Sequence, residues 1–368
     1  MQSRPLRFDE LPGWRPAEAA AAWPAYIASC RALIDYALPL RSGVQPTAAM
    51  LDLSRRALDL TGEIAEISNF LTSNFQPLEI LGANGAAEGF VTGYFEPELD
   101  GSEVPDQQFA APVLARPDDL IDMRETPAQG WDRTFEGARR AADESLEPYP
   151  SRVQIENGVI DDVTRPVIWL RDHVEVFFAQ VQGSARVRLP NGTRKRLVYA
   201  GRNGRPYTSI GRILIEGGEV PAAEMSLARC KAWLRANGVS QGDRGREVMQ
   251  RNDSYVFFRL EDEGPAAGPI GGQGVALTPM HSMAIDRNIW PYGTPIWIAS
   301  DLSSAGLGSG PTGRLMIAQD TGSAIVGPAR GDLFVGSGDR AGEIAGLIRH
   351  SARFIVLAPL GIAAYGAA

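Results

Sequence analysis

The chain has 368 residues, 44% of them hydrophobic, enough for a sizeable core and for two domains or one large one. Its 36 Lys and Arg against 44 Asp and Glu give a formal charge of −8, which argues against the phosphate-neutralising surface of a non-specific nucleic-acid binder. Two cysteines exclude a disulfide framework, and three histidines without metal-type spacing speak against zinc.

The start, Met1 to Pro5, carries no apolar core and no lipid-attachment cysteine, so the sequence reads as soluble, with any leader outside the numbered chain. Residues 17–39 are Ala-rich with helically spaced Trp23, Tyr26, Ile27, Leu33 and Ile34, and Pro24 marks a break or a first turn. Residues 46–71 read as a second helix, with Met50, Leu51, Leu58, Ile64, Ile67 and Leu71 on one face. At Gly89 to Pro97 β-branched and aromatic residues between glycines and a proline predict a strand running into a loop. Residues 100–166 are polar and Pro-rich, and predict loops and short strands.

Asp172–Ala179 is an apolar run of either helical or strand type. Ala185 to Leu189 alternates with period two, Asn191-Gly192 follows, and Thr193–Ala200 returns, which predicts a hairpin whose turn uses the tolerance of Asn and Gly for positive φ. Glu224–Asn237 reads as a helix stopped at Gly238, and the Gly/Pro/Ala-rich stretch 262–274 as a linker. Beyond it, Val275–Leu277, Pro295–Ile298, Leu315–Ala318, Leu333–Val335 and Arg353–Leu357 read as the short strands of a small barrel. The apolar stretch Phe354–Ala368 is too short to span a bilayer and is broken by Pro359 and Gly361.

Three aspartates stand beside strands and glycine-rich turns: Asp286, Asp320 in Gln319-Asp320-Thr321-Gly322, and Asp332 in Gly331-Asp332-Leu333. Gathered around one cleft, such carboxylates raise one another's pKa and leave one protonated for general acid catalysis. The competing reading of each is a turn former, because Asp before Gly or Thr bonds the backbone two residues on. Asp-Thr-Gly-Ser also marks aspartic proteases, but those need two such aspartates and the tripeptide occurs once.

Several ordered motifs resemble the membrane-bound lytic transglycosylase A family. They are Thr92-Gly93-Tyr94-Phe95-Glu96-Pro97, the run Phe177 to Ser184, the run Tyr199 to Gly211, Ser254 to Phe258, and a C-terminal region named for its three aspartates, placed at Asp286, Asp320 and Asp332. The resemblance implies a mainly β fold with some helices. A double-psi β-barrel domain is expected from residues 1–105 (with the N-terminal helices) and 255–368, and a second β-barrel-like substrate-binding domain is inserted at 106–254, with a groove between them for glycan.

It also implies the chemistry. The expected enzyme cuts the bond between N-acetylmuramic acid and N-acetylglucosamine in peptidoglycan without water, giving a 1,6-anhydro product, with Asp332 as the single acid and then base and Asp320 and Asp286 in support. Sugar contacts are expected from Thr92, Gly93, Tyr94, Gln182, Gly183 and Tyr207, with Phe95, Gln180, Trp290 and Tyr292 as further candidates. No metal or organic cofactor is implied. The implied partners are glycan strands and other cell-wall enzymes, no nucleic acid, for a monomer in the bacterial periplasm or cell envelope associated with the outer membrane. A muramidase-type hydrolase and a non-catalytic glycan-binding barrel are the alternatives.

Overall fold

The computed structural model describes residues 1–82, 85, 87, 89–124, 126, 128–264 and 268–361. The chain divides into two compact units, one formed by Met1–Glu96 with Ala266–Ala368 and the other by Pro97–Pro265. Part of the 262–274 linker reading and the last seven residues of the apolar C-terminal stretch fall outside the described residues.

In the first unit, six strands close on themselves. Arg349–Pro359 pairs with Pro295–Asp301, and the ring continues through Pro311–Asp320, Ser282–Ala284, Arg330–Ser337 and Gly89–Glu96 back to Arg349–Pro359. Closure leaves these strands no unpaired edge. Two pairings are parallel, Ser282–Ala284 with Pro311–Asp320 and Arg330–Ser337 with Gly89–Glu96. Phe75–Leu81 adds to the outside of Arg349–Pro359, and Gln2–Pro5 adds to Phe75–Leu81. This is the β-barrel expected of the family. Val275–Leu277, read as a strand, makes only a single bridge through Ala276, whereas the three-residue strand Ser282–Ala284 supplies the pairing.

The N-terminal helices cover one flank. Helices Pro16–Ala21 and Trp23–Ile34 meet at Ala22, so Pro24 falls in the first turn of the second, where its missing N–H leaves no helical bond broken. The single helix expected over 46–71 is two, Ala48–Leu58 and Ile64–Asn74, because Gly62 between them takes φ +90°. Their apolar faces, including Trp23, Tyr26, Leu53, Ile67 and Leu71, pack with Trp297, Leu315, Ile317 and Ile355 of the barrel. Glu79 is fully buried there and is held between Arg353, at 2.5 Å, and Arg4.

The second unit carries a six-stranded sheet in the order Val256–Asp262, Arg194–Arg202, Ser184–Arg188, Glu98–Ser102, Pro166–Leu170, Ala111–Leu114. Helix His173–Gln182 resolves the ambiguous apolar run. Asp172 caps its start by accepting from the Glu175 amide, and Gly183, at φ +82°, ends it. The predicted hairpin is present, with a three-residue loop in which Gly192 alone takes positive φ, +82°, while the Asn191 side chain accepts from the Thr193 amide. The helix expected at 224–237 runs Leu227–Ala236 and stops before Gly238, at φ +79°. Cys30 and Cys230 are both free and buried. Among the described residues no helix is long and apolar enough to cross a membrane.

Candidate active site

The short strand Ser282–Ala284 decides the geometry of the aspartates. Ala284 stands opposite Asp320 on one neighbouring strand and opposite Asp332 on the other. The two aspartates therefore flank one residue, with backbones two strand spacings, about 10 Å, apart. Across the next pairing Asp332 faces Thr92, and Phe334 faces Tyr94. Alternation along a strand puts Phe90, Thr92 and Tyr94 on one face, as it does Arg330, Asp332 and Phe334.

Asp332 is partly buried, and its Oδ1 accepts from Thr92 Oγ1 at 2.5 Å. Among the described residues its Oδ2 has no protein partner. Burial pushes this carboxyl up to about 6. The Thr92 hydrogen bond and the Arg330 charge pull the other way, and the Asp320 charge adds to the rise.

Asp320 has no such freedom. Its Oδ1 accepts from the amides of Gly272 and Thr321, both at 2.8 Å, and its Oδ2 accepts from Tyr94 Oη at 2.8 Å. Burial, together with the Asp320 carboxylate, holds the Tyr94 hydroxyl well above its ordinary pKa, so it remains a donor. Asp286 is likewise committed. Its Oδ1 accepts from Asn288 N at 3.0 Å and its Oδ2 from Gly327 N at 2.9 Å, which ties the 286–290 turn to the loop between the other two aspartates. Trp290 Nε1 reinforces the tie by donating to Pro328 O at 2.9 Å.

Other predicted residues have structural work. Gly93 is required by packing, since a Cβ there would lie 2.9 Å from Ala345 Cα and from Ile348 Cδ1, at helix Asp339–Leu347. Phe95, Trp290 and Tyr292 are buried in the first unit. In the second unit Gly183 caps its helix with an amide bond to Ala179 O at 2.8 Å, and Gln182 is the last residue of that helix. Tyr207 is partly buried, and burial raises its hydroxyl pKa against a hydrogen bond with Ser209. Gln180 donates to Val256 O at 3.0 Å.

Two elements of the site carry no signature in the sequence. The stretch 262–274 has the composition of a linker, yet within it Gly272 is a donor to Asp320, and a Cβ on it would lie 2.7 Å from Tyr292 Oη. Gln273 joins a buried chain in which Ser29 Oγ donates to Gln273 Oε1, Gln319 Nε2 to Ser29 Oγ, each at 2.8 Å, and Ser282 Oγ to Gln319 Oε1 at 2.5 Å. This chain fixes the strand end that carries Asp320. The second element is Arg330, whose Nη2 donates to Thr92 Oγ1 at 2.7 Å while its guanidinium lies 5.4 Å from the Phe90 ring centroid. No sequence signal marks Arg330, because its pairing with Phe90 and that of Asp332 with Thr92 appear only in the strand register. Among the described residues, no cluster of metal-ligating side chains is present.

Residues 90–259 match the MltA specific insert domain, and residues 281–358 match the 3D domain. The chain is 33% identical over 297 residues to the membrane-bound lytic murein transglycosylase A of Vibrio cholerae, taking in 80% of this chain and 71% of that one. The Escherichia coli K12 protein of that name is 29% identical over 75% of this chain and 67% of its own. Among solved structures, the membrane-bound lytic murein transglycosylase from Agrobacterium tumefaciens gives a TM-score of 0.83 at 33% identity, covering 98% of each chain. MltA from Neisseria gonorrhoeae, in its monoclinic form, gives 0.78 at 28% identity over 100% of this chain and 94% of that one. The chain thus belongs to the membrane-bound lytic murein transglycosylase A family.

Proposed function

We propose that this lytic murein transglycosylase cleaves the N-acetylmuramic acid to N-acetylglucosamine bond with Asp332 as its one acid and base. The observation that carries the assignment is the contrast between carboxylates. Asp332 keeps one oxygen without a protein partner and a pKa raised to about 6, whereas both oxygens of Asp320 and of Asp286 are held by hydrogen bonds.

The protonated Asp332 donates its proton to the glycosidic oxygen as the bond to C1 breaks. The muramic acid C6 hydroxyl then attacks C1, and the Asp332 carboxylate takes its proton. The bond lost at C1 is replaced by the 1,6-anhydro bond, and the acid returns to its starting state. The nucleophile is tethered in the substrate, so its effective concentration is high and no water need be activated. A hydrolase reading is weaker because hydrolysis usually employs a second carboxylate as base or nucleophile. Asp320, the other carboxylate whose charge acts on Asp332, is engaged at both oxygens.

Thr92 and Tyr94 are positioning residues in this reading, one directed at Asp332 and one at Asp320. Glycan contacts by Gln182, Gly183 and Tyr207 rest on the family motif. A peptidoglycan substrate places the enzyme in the cell envelope, in keeping with relatives named membrane-bound. The test is the mass of the soluble muropeptides released from sacculi: products one water lighter than hydrolysed ones are expected, and reducing ends would overturn the reading.

A further inference from the structure

Thr92 sits between a permanent cation and the reacting carboxyl, and that placement fixes the direction of a hydrogen-bond chain. Arg330 Nη2 donates to Thr92 Oγ1 at 2.7 Å, and Thr92 Oγ1 donates to Asp332 Oδ1 at 2.5 Å. A guanidinium only donates and does not lose its proton at any pH the enzyme meets. A threonine hydroxyl has one hydrogen, and among the described residues its one acceptor here is Asp332 Oδ1. Were Oδ1 protonated, two donors would converge on Thr92 Oγ1 and its own hydrogen would lose its acceptor.

The other contacts of Arg330 hold it in this pose. Its Nη1 donates to Gly331 O, and its guanidinium lies against Phe90, which is paired with it across the parallel strands.

We propose that Arg330 is a positioning residue for the transglycosylase reaction: acting through Thr92, it reserves Asp332 Oδ1 as an acceptor and so puts the transferable proton on Oδ2, the oxygen left open to the glycosidic bond. Oδ2 then both delivers the first proton and receives the second, and Oδ1 stays fixed while charge appears and disappears on the carboxylate. The inference rests on Asp332 being the acid.

The experiment compares Arg330→Met, Arg330→Gln, Arg330→Lys, Thr92→Val and the Arg330→Met/Thr92→Val double variant, with Asp332→Asn as control. The readout is kcat and KM for muropeptide release against pH. Arg330→Met is expected to lower kcat about tenfold with little change in KM, a part of the roughly 10²–10⁴-fold that a well-placed acid–base group contributes. It is also expected to move the alkaline limb to higher pH, because both the cation and the donated hydrogen bond favour the ionised carboxyl. Thr92→Val should do the same, the double variant should be no worse than either single one, and Arg330→Lys should recover most of the rate. Arg330→Gln keeps an amide donor without the charge, so it covers the case in which the Met variant does not fold, and its limb should also rise. An unmoved limb in folded Arg330→Met or Arg330→Gln, or effects of Arg330 and Thr92 that multiply, would overturn the inference and leave Asp332 as the acid. An active Asp332→Asn would instead overturn the reading beneath it.

Discussion

Thr92 and Asp332 face each other across parallel strands, 240 positions apart in sequence, with Thr92 Oγ1 2.5 Å from Asp332 Oδ1. The two strands are direct neighbours in the barrel, so the Asp332 carboxyl is set by strand register rather than by a loop. That register also fixes Asp320, through Ala284, and Tyr94, two residues beyond Thr92.

Asp320→Asn tests the coupling of the two aspartates. The Asp320 charge is the last of the influences on Asp332 and the only one besides burial that raises it. Removing it should move the alkaline limb of the kcat profile slightly to lower pH, opposite in sign to the Arg330 variants. The fold should survive, because an Asn amide in place of Oδ2 donates to Tyr94 Oη and the bond reverses. An unmoved limb in kinetic titration would show that the charge does not reach Asp332.

The Asp332 carboxyl carries a stability cost with a definite pH dependence. Its folded pKa, about 6, lies above the ordinary Asp value of roughly 3.9, so the native state holds the proton more tightly than the unfolded chain. That contribution is complete below pH about 4 and is lost as pH rises through about 6. Asp332→Asn should therefore stabilise the protein at pH 8 by on the order of 3 kcal/mol and leave it nearly unchanged at pH 4. Urea denaturation at both values measures this, and equal effects would mean that the carboxyl is not held in its acid form by burial.

Gly93 separates packing from sugar contact. A methyl at this position meets Ala345 Cα and Ile348 Cδ1 at 2.9 Å, so Gly93→Ala should cost about 1–3 kcal/mol in thermal or urea unfolding as the helix is pushed outward. If stability were unchanged while KM rose, the glycine would serve the glycan and not the helix.

Much of the barrel was legible because its longer strands, such as Pro311–Asp320 and Arg349–Pro359, contain apolar runs bounded by Gly and Pro. The hairpin was legible through Asn191-Gly192, although the glycine alone supplies the left-handed residue. The strand that places both aspartates was not. Ser282–Ala284 is three residues long, and the neighbouring Val275-Ala276-Leu277 has the stronger strand composition. Gly62 was too weak a breaker by composition alone to divide residues 46–71. Arg330 was hidden for a different reason: in Pro328-Ala329-Arg330-Gly331 it reads as a turn, and its partner Thr92 lies 238 positions away. Gly272 was hidden inside a composition that signals a linker, when its lack of a side chain serves close approach to Asp320 and Tyr292.

The most direct measurement is the mass spectrum of soluble muropeptides released from sacculi by the native protein and by Asp332→Asn in parallel. The native protein should release 1,6-anhydro products, and these should disappear in a folded variant, a loss of at least about a thousandfold in rate. Anhydro products released by Asp332→Asn at a comparable rate would contradict this and move the acid to another residue.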